Sequence, residues 1–226
     1  LFSSAWHPMK GSFGMLPFIV GTVEVTFMAM FISIPLCLLS AIYLSEYATR
    51  RFRESARFII EILAGIPSVV YGLCGILVIA PLVVWVGEYL AIQTTGYSLL
   101  AGGLILAIMV TPFVVSIAME VLMMVPGQVR ECALALGATK WETVKYVVLK
   151  KAKRGLLAAI VLGFARAFGE TMAVLMVVGN VAEVPSSIFD PAYPLPALIA
   201  NNYGEVMSIP LYDSALMSAA LILMII

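Results

Sequence analysis

Charge and histidine are both scarce in this chain, and each scarcity excludes a class of function. Only 12% of the 226 residues are charged, against roughly 25% in a soluble domain, and the formal net charge is zero. With 62% hydrophobic residues, a globule of this length could not hide its apolar surface from water. A lipid solvent removes that need. The single histidine, His7, and the three cysteines, Cys37, Cys74 and Cys132, lack metal-ligand spacing. A zinc site, a disulfide framework and a Ser-His triad are therefore poorly supported, and the cysteines read as small apolar fillers. No catalytic residue, metal ligand or cofactor is predicted. The sequence also lacks a Gly-rich phosphate loop ending in Lys-Ser/Thr and any extramembrane stretch long enough for a nucleotide-binding domain. If ATP drives this protein, another chain hydrolyses it. Internal repeats and a signal-peptide pattern are missing too. The abrupt opening at Leu1-Phe2 and the apolar ending at Ile226 carry the expectation that residues are missing at both ends.

What is present is apolar run after apolar run. A spanning helix needs about 20 mostly apolar residues, and five stretches qualify or nearly do. They run from about Leu16 to Leu44, Phe58 to Val86, Leu99 to Met119 and Leu156 to Val178, with a fifth starting near Leu211. The first two are long enough to tilt or bend and contain Pro35, Pro67 and Pro81, which packed neighbours in a membrane tolerate. The predicted fold is all-α, a polytopic transmembrane helical bundle read as one domain over 1–226. Of 13 basic residues, Arg50, Arg51, Arg53 and Arg57 lie between the first two spans. Arg130, Lys140, Lys145, Lys150, Lys151, Lys153 and Arg154 lie between the third and fourth. The positive-inside rule puts both basic loops, about 45–57 and 124–154, in the cytoplasm. Alternation then places the segment before Leu16 outside, with the loops near Gln93 and Asn201.

The second basic loop, about 125–155, carries more pattern than a connection requires. Glu131-Cys132-Ala133-Leu134-Ala135-Leu136 is helix-prone, and Gly137 suits a bend that a side chain would obstruct. Thr139 and Glu142 have capping-box spacing, and Trp141, Val144, Val147 and Val148 supply an apolar stripe. A helix-turn-helix at the membrane surface follows. It fits a docking element that carries a push from a soluble partner, and equally an amphipathic hairpin on anionic lipid.

Arg166 and Glu170 fall inside the fourth predicted span, four residues apart on one expected helix face. A charge there costs ~2.5–3.5 kcal/mol, so such residues pair or face a polar cavity. One reading gives Arg166 to an anion, with guanidinium geometry suited to a tetrahedral oxyanion. The other makes the two a structural salt bridge. Glu24 can face the same cavity or reach water, Glu61 is expected to pair with Arg57, and Pro67, Ser68 and Tyr71 sit at an expected kink.

Two resemblances sharpen these alternatives. Glu131-Cys132-Ala133, Gly137 and Val147-Val148-Leu149 resemble the EAA motif of ABC importer permeases, with Cys132 in place of the first alanine and Lys150 where proline is common. The motif implies a coupling helix, carried by Glu131, Ala133, Gly137 and Leu149, seated in a groove of an ATPase subunit. The stretch from Ala165 to Val174, including Arg166, Gly169, Glu170 and Thr171, resembles the PstC-type permease subunits of phosphate importers. Trp6-His7-Pro8, Ser45-Glu46-Tyr47 and the stretch from Glu61 to Gly72 are similar to the same family. The resemblance implies a type I ABC importer permease fold in a bacterial or archaeal plasma (inner) membrane, with five spans seen of six expected. It implies a substrate pathway at Arg166, Glu170 and Thr171. It also implies as partners a PstA-type sister permease, a PstB-type ATPase dimer and a PstS-type extracytoplasmic phosphate-binding protein, with phosphate as cargo. A permease for sulfate or molybdate, and an integral membrane enzyme, are the competing readings.

Overall fold

The computed structural model describes residues 3, 6–7, 12–203 and 211–225. Pro8, Lys10 and 204–210 of the predicted outer loop lie outside the described residues. Strands β1 (Trp6–His7) and β2 (Ser12–Phe13) pair antiparallel, Trp6 with Phe13 and His7 with Ser12. This is a small addition to the expected helical fold. Helix α1 (Leu16–Ile42) continues into a π-helical turn, Tyr43–Tyr47, making one apolar helix of 32 residues. Pro35 lies within it without ending it.

Helix α2 (Arg50–Ala64) is amphipathic and separate, with none of its residues buried. The second span therefore begins at Ser68 and not near Phe58. Pro67 has no amide hydrogen to continue a helix and pushes Ile66 out of the α region, while Gly65 ends α2. Helix α3 (Ser68–Cys74), a π-turn at Gly75–Ile79 and α4 (Ala80–Tyr89) form an apolar helix of 22 residues. Helix α5 (Leu99–Met123) adds 25. At ~1.5 Å per residue even the shortest of the three reaches ~33 Å, enough for a hydrocarbon core of ~30 Å.

The remaining helices are α6 (Gly127–Ala135), α7 (Lys140–Glu142), α8 (Leu149–Phe168), α9 (Met172–Leu175), α10 (Leu195–Asn202) and α11 (Tyr212–Ile225). A π-turn, Thr143–Val148, joins α7 to α8. The fourth predicted span does not continue to Val178, because α8 stops at Phe168. Helix α11 is apolar but has only 14 residues.

The chain packs as two compact units. One comprises Leu1–Met30, Pro67–Ala107 and Arg166–Ile226; the other comprises Phe31–Ile66 and Ile108–Ala165. In the first, Met15 and Phe18 of α1 are buried with Leu195 and Leu198 of α10 and Tyr212 and Leu216 of α11. The Thr22 hydroxyl donates to Phe18 O (2.6 Å) and accepts the Leu195 N–H (2.8 Å), pinning α10 to α1. Helix α3 meets the segment after α9 at Gly72, where a Cβ would lie 2.5 Å from the Met176 sulfur. The loop before α10 is tied to the start of α5: Leu99 N–H donates to Asp190 O and Leu100 N–H to Ile188 O, at 2.9 and 2.8 Å. The Asp190 carboxylate accepts from the Ser186 hydroxyl and from the Ser186 and Ser187 amides. These bonds, the Ser186 hydroxyl foremost, hold its pKa below the usual carboxylate value.

In the second unit, Ser33 of α1 lies 3.1 Å from the Thr111 hydroxyl of α5, and the Cys37 thiol donates to Thr111 O. Cys37 is buried, as a filler should be, whereas Cys74 and Cys132 are exposed. Met119 and Leu122 of α5 and Val144 and Val148 of the π-turn are buried in this unit. The expected pair forms on α2, where Arg57 Nε meets Glu61 Oε1 at 2.8 Å, and a second contact joins Arg57 Nη2 to Glu120 at 3.1 Å.

Candidate functional site

The loop between α5 and α8 folds as the sequence predicts, with one change of register. Helix α6 ends at Ala135, and Gly137 follows with φ of +88°, in the left-handed region. An added Cβ would meet nothing within 4 Å there, so the backbone conformation and not crowding calls for glycine. Thr139 Oγ1 accepts from Glu142 N–H, and Thr139 N–H donates to Glu142 Oε2 at 2.8 Å, which completes the capping box. The bond from the Thr139 amide, with that from its hydroxyl, holds the Glu142 carboxyl below its ordinary pKa. Val144 and Val148 of the π-turn are buried, whereas Trp141, in the short helix before that turn, is 56% exposed. Glu131 and Gly137 are exposed, Ala133 is buried and Leu149 half-buried. Leu136, 89% exposed, and Trp141 leave this element with apolar side chains pointing away from the unit.

What joins this element to the rest of its unit was not predicted. Arg130, the residue before Glu131, places its guanidinium against Glu46 at the end of the first long helix. Nη2 donates to Oε1 at 2.7 Å and Nε to Oε2 at 3.2 Å. The same group donates to Leu122 O at 2.9 Å and to Val125 O, carbonyls at the end of α5 and just beyond it. The Glu46 side chain is only 8% exposed and that of Arg130 23%. One planar fork thus serves a bidentate carboxylate contact and two carbonyls at and just beyond the end of α5, of which Leu122 O also accepts the Val125 N–H at 3.3 Å. Arg53 acts similarly nearby, donating to Leu44 O (2.8 Å) and Ala48 O (3.3 Å). The positive-inside count treated Arg130 and Arg53 as interchangeable surface charges. The available signal was Glu46 itself, an acid at the end of an apolar span.

The other candidate region, in the first unit, departs further from expectation. Arg166 lies in the last turn of α8, where a cation complements the helix dipole. Glu170 lies beyond the end of that helix, so the premise of an i,i+4 face fails. Its carboxylate instead accepts the Ala173 N–H at 3.2 Å, at the start of α9. Thr171 donates to Gly169 O at 3.4 Å. Gly169 and two side chains able to bond backbone groups explain why the helix ends here. Arg166, Glu170 and Thr171 are all half-buried. Tyr71 of α3, buried in the same unit, lies within electrostatic reach of Arg166. Glu170 lines a cavity of about 10 Å³ with Thr22, Thr26, Ala167 and Phe168, space for about one water and not for an oxyanion. Glu24 lines a separate cavity of about 350 Å³ with Phe27, Met28, Ser186 and Ser187.

The chain is 38% identical to a probable ABC transporter permease protein, YqgH, of Bacillus subtilis, covering all of this chain and 72% of the relative. It is also 38% identical to the phosphate transport system permease protein PstC of Pasteurella multocida, covering all of this chain and 75% of that protein. A solved inward-facing structure of the MetNI methionine ABC transporter superposes with a TM-score of 0.69 over 98% of this chain and 92% of the other, at 18% identity. That likeness supports the type I permease fold. Residues 33–226 match the family described as the inner membrane component of binding-protein-dependent transport systems. With its spans, its hairpin and its relatives in agreement, the chain belongs to that family of multi-pass membrane transport components, whose work is transport and not catalysis.

Proposed function

We propose that this chain is the permease subunit of an ATP-driven phosphate importer and forms half of the translocation pathway. The observation that carries the reading is the element over 127–149: a capped, glycine-bent hairpin with Leu136 and Trp141 facing outward. Exposed apolar side chains on a rigid hairpin suit a protein groove better than open cytoplasm. In this reading Glu131, Ala133, Gly137 and Leu149 seat the element on a PstB-type ATPase dimer, and the basic loops face the cytoplasm. A PstA-type sister permease completes the pathway, and a PstS-type binding protein docks on the outer side. The small cavity at Glu170 accords with a site that needs the sister chain. ATP binding closes the ATPase dimer, the hairpin passes the motion to the spans, and Arg166 briefly offers N–H donors to the anion. Glu170 and Thr171 shape the break beside it. The binding protein and ATP supply the differential affinity that such switching requires.

Phosphate as cargo rests on the relatives named as phosphate permeases and on the fit of a guanidinium fork to a tetrahedral oxyanion. The test is labelled phosphate uptake in cells lacking this chain, restored with wild type or Arg166→Gln, with sulfate and molybdate run alongside. The expected result is phosphate uptake restored by wild type alone, with the variant at normal membrane levels but at least tenfold slower. Uptake of another anion in place of phosphate would overturn the substrate.

A further inference from the structure

We propose that Arg130 is the positioning residue through which the coupling hairpin moves the spans, with Glu46 as its anchor. This rests on the reading of 127–149 as the ATPase-docking element and adds the path by which its motion leaves the hairpin. Helix α6 starts at Gly127 and meets α5 through the short turn Met124–Pro126, a connection that could flex. The Arg130 guanidinium removes that freedom. It sits in the first turn of α6, bonds Leu122 O and Val125 O behind it, and clasps both oxygens of Glu46 at the end of the first long helix. Three segments of the second unit therefore share one planar group: the end of the first span, the end of α5 and the start of the docking helix.

Two features mark this as more than a surface pair. The Glu46 side chain is largely enclosed, and a carboxylate withdrawn from water is costly unless a partner satisfies it, so the clasp favours one arrangement. The geometry also needs arginine specifically. A lysine ammonium can face the carboxylate, but it cannot hold both of its oxygens and two diverging carbonyls in one plane. A load applied at Leu136, the residue that caps the end of α6, reaches Arg130 along that one helix, and the clasp passes it to two spans together. Glu131, next in sequence, is exposed, so neighbouring residues divide the work: Glu131 faces the partner and Arg130 faces the spans.

The test uses the full importer with its sister permease, ATPase and binding protein in vesicles, and reads phosphate taken up per ATP hydrolysed. Two variants avoid leaving a lone buried charge: Arg130→Lys, and the neutral pair Glu46→Gln with Arg130→Gln. The expected ratio falls at least tenfold in the neutral pair and by a smaller factor in Arg130→Lys, while co-purification of the ATPase persists. A merely structural role lowers uptake and hydrolysis in parallel, and an unchanged ratio would overturn the proposal. So would loss of the assembled complex in both variants, which makes Arg130 a folding residue only. If wild-type vesicles show no ATP-driven phosphate uptake, the underlying functional reading fails, a result distinct from a wild type that transports and variants that keep its ratio.

Discussion

The Arg130–Glu46 clasp and the Arg166–Glu170 break use the same two residue types at helix ends and reach opposite outcomes. In the first, residues far apart in sequence form a closed bidentate contact, and the arginine also serves two carbonyls of α5 and the turn after it. In the second, residues four apart lie on either side of a helix end. Arg166 complements the C-terminus of α8 and Glu170 accepts an amide of the next short helix. Helix termini leave backbone groups without intrahelical partners, and each charge goes where such a group or a dipole end is available. The clasp suits a joint that must transmit force. The break leaves half-buried polar groups near a small cavity, which suits a site that must change its partners.

Stability measurements can break this comparison most decisively. Glu46→Ala removes one member of a partly buried, charge-assisted pair and should destabilise the detergent-solubilised protein by roughly 1.5–3 kcal/mol. Glu170→Ala removes a cap-like bond and should cost about 1 kcal/mol. Equal losses in thermal unfolding would erase the distinction. A second and smaller effect concerns the hairpin that the clasp holds. Gly137→Ala forces a side chain into φ of +88° and should cost about 1–2 kcal/mol. Gly137→Pro cannot adopt that φ and also loses the N–H bond to Leu134 O, so ATP-driven uptake should stop while ATP hydrolysis continues. Wild-type uptake in the proline variant would remove the hairpin from the coupling path.

The smallest effect is acid sensitivity at two exposed turns. The carboxyls of Glu142 and Asp190 are held below their ordinary pKa by hydrogen bonds from Thr139 and from Ser186 and Ser187. A depressed folded pKa means that the stabilisation is fully present above the ordinary carboxylate range, about pH 4. It is lost as pH falls through the folded value. Hydrogen exchange at the Thr139 and Ser187 amides, which donate to these two carboxylates, should therefore speed up, beyond its intrinsic pH dependence, only in acid. Glu142→Gln should abolish the step at its own turn and leave the other intact.

Much of this organisation could be read in advance. Long apolar runs announce spans because lipid requires them, and Thr139 with Glu142 announces a cap because the two residues satisfy each other's backbone within one turn. Gly137 was legible for the same local reason. The errors share a cause as well. The second span was started too early because hydropathy does not see the break that Pro67 imposes on an apolar sequence. The apolar stripe of Trp141, Val144, Val147 and Val148 divides between a buried part and an exposed Trp141, and the π-turn within it has no signature in residue type. Glu170 was put on a helix face because its apolar surroundings hid the local competition that ends α8 at Phe168.

The sequence by itself determined that this chain lives in a membrane, where its first and third spans run, and where its capped hairpin bends. Composition, hydropathy and local hydrogen bonding act over one helix at a time, so they are written in contiguous residues. Only the tertiary structure decided that Arg130 belongs to Glu46 and not to the solvent, and that Glu170 serves α9 and not Arg166's helix. A charged side chain pairs with whatever the fold brings within about 3 Å, and spacing along the chain carries no record of that approach.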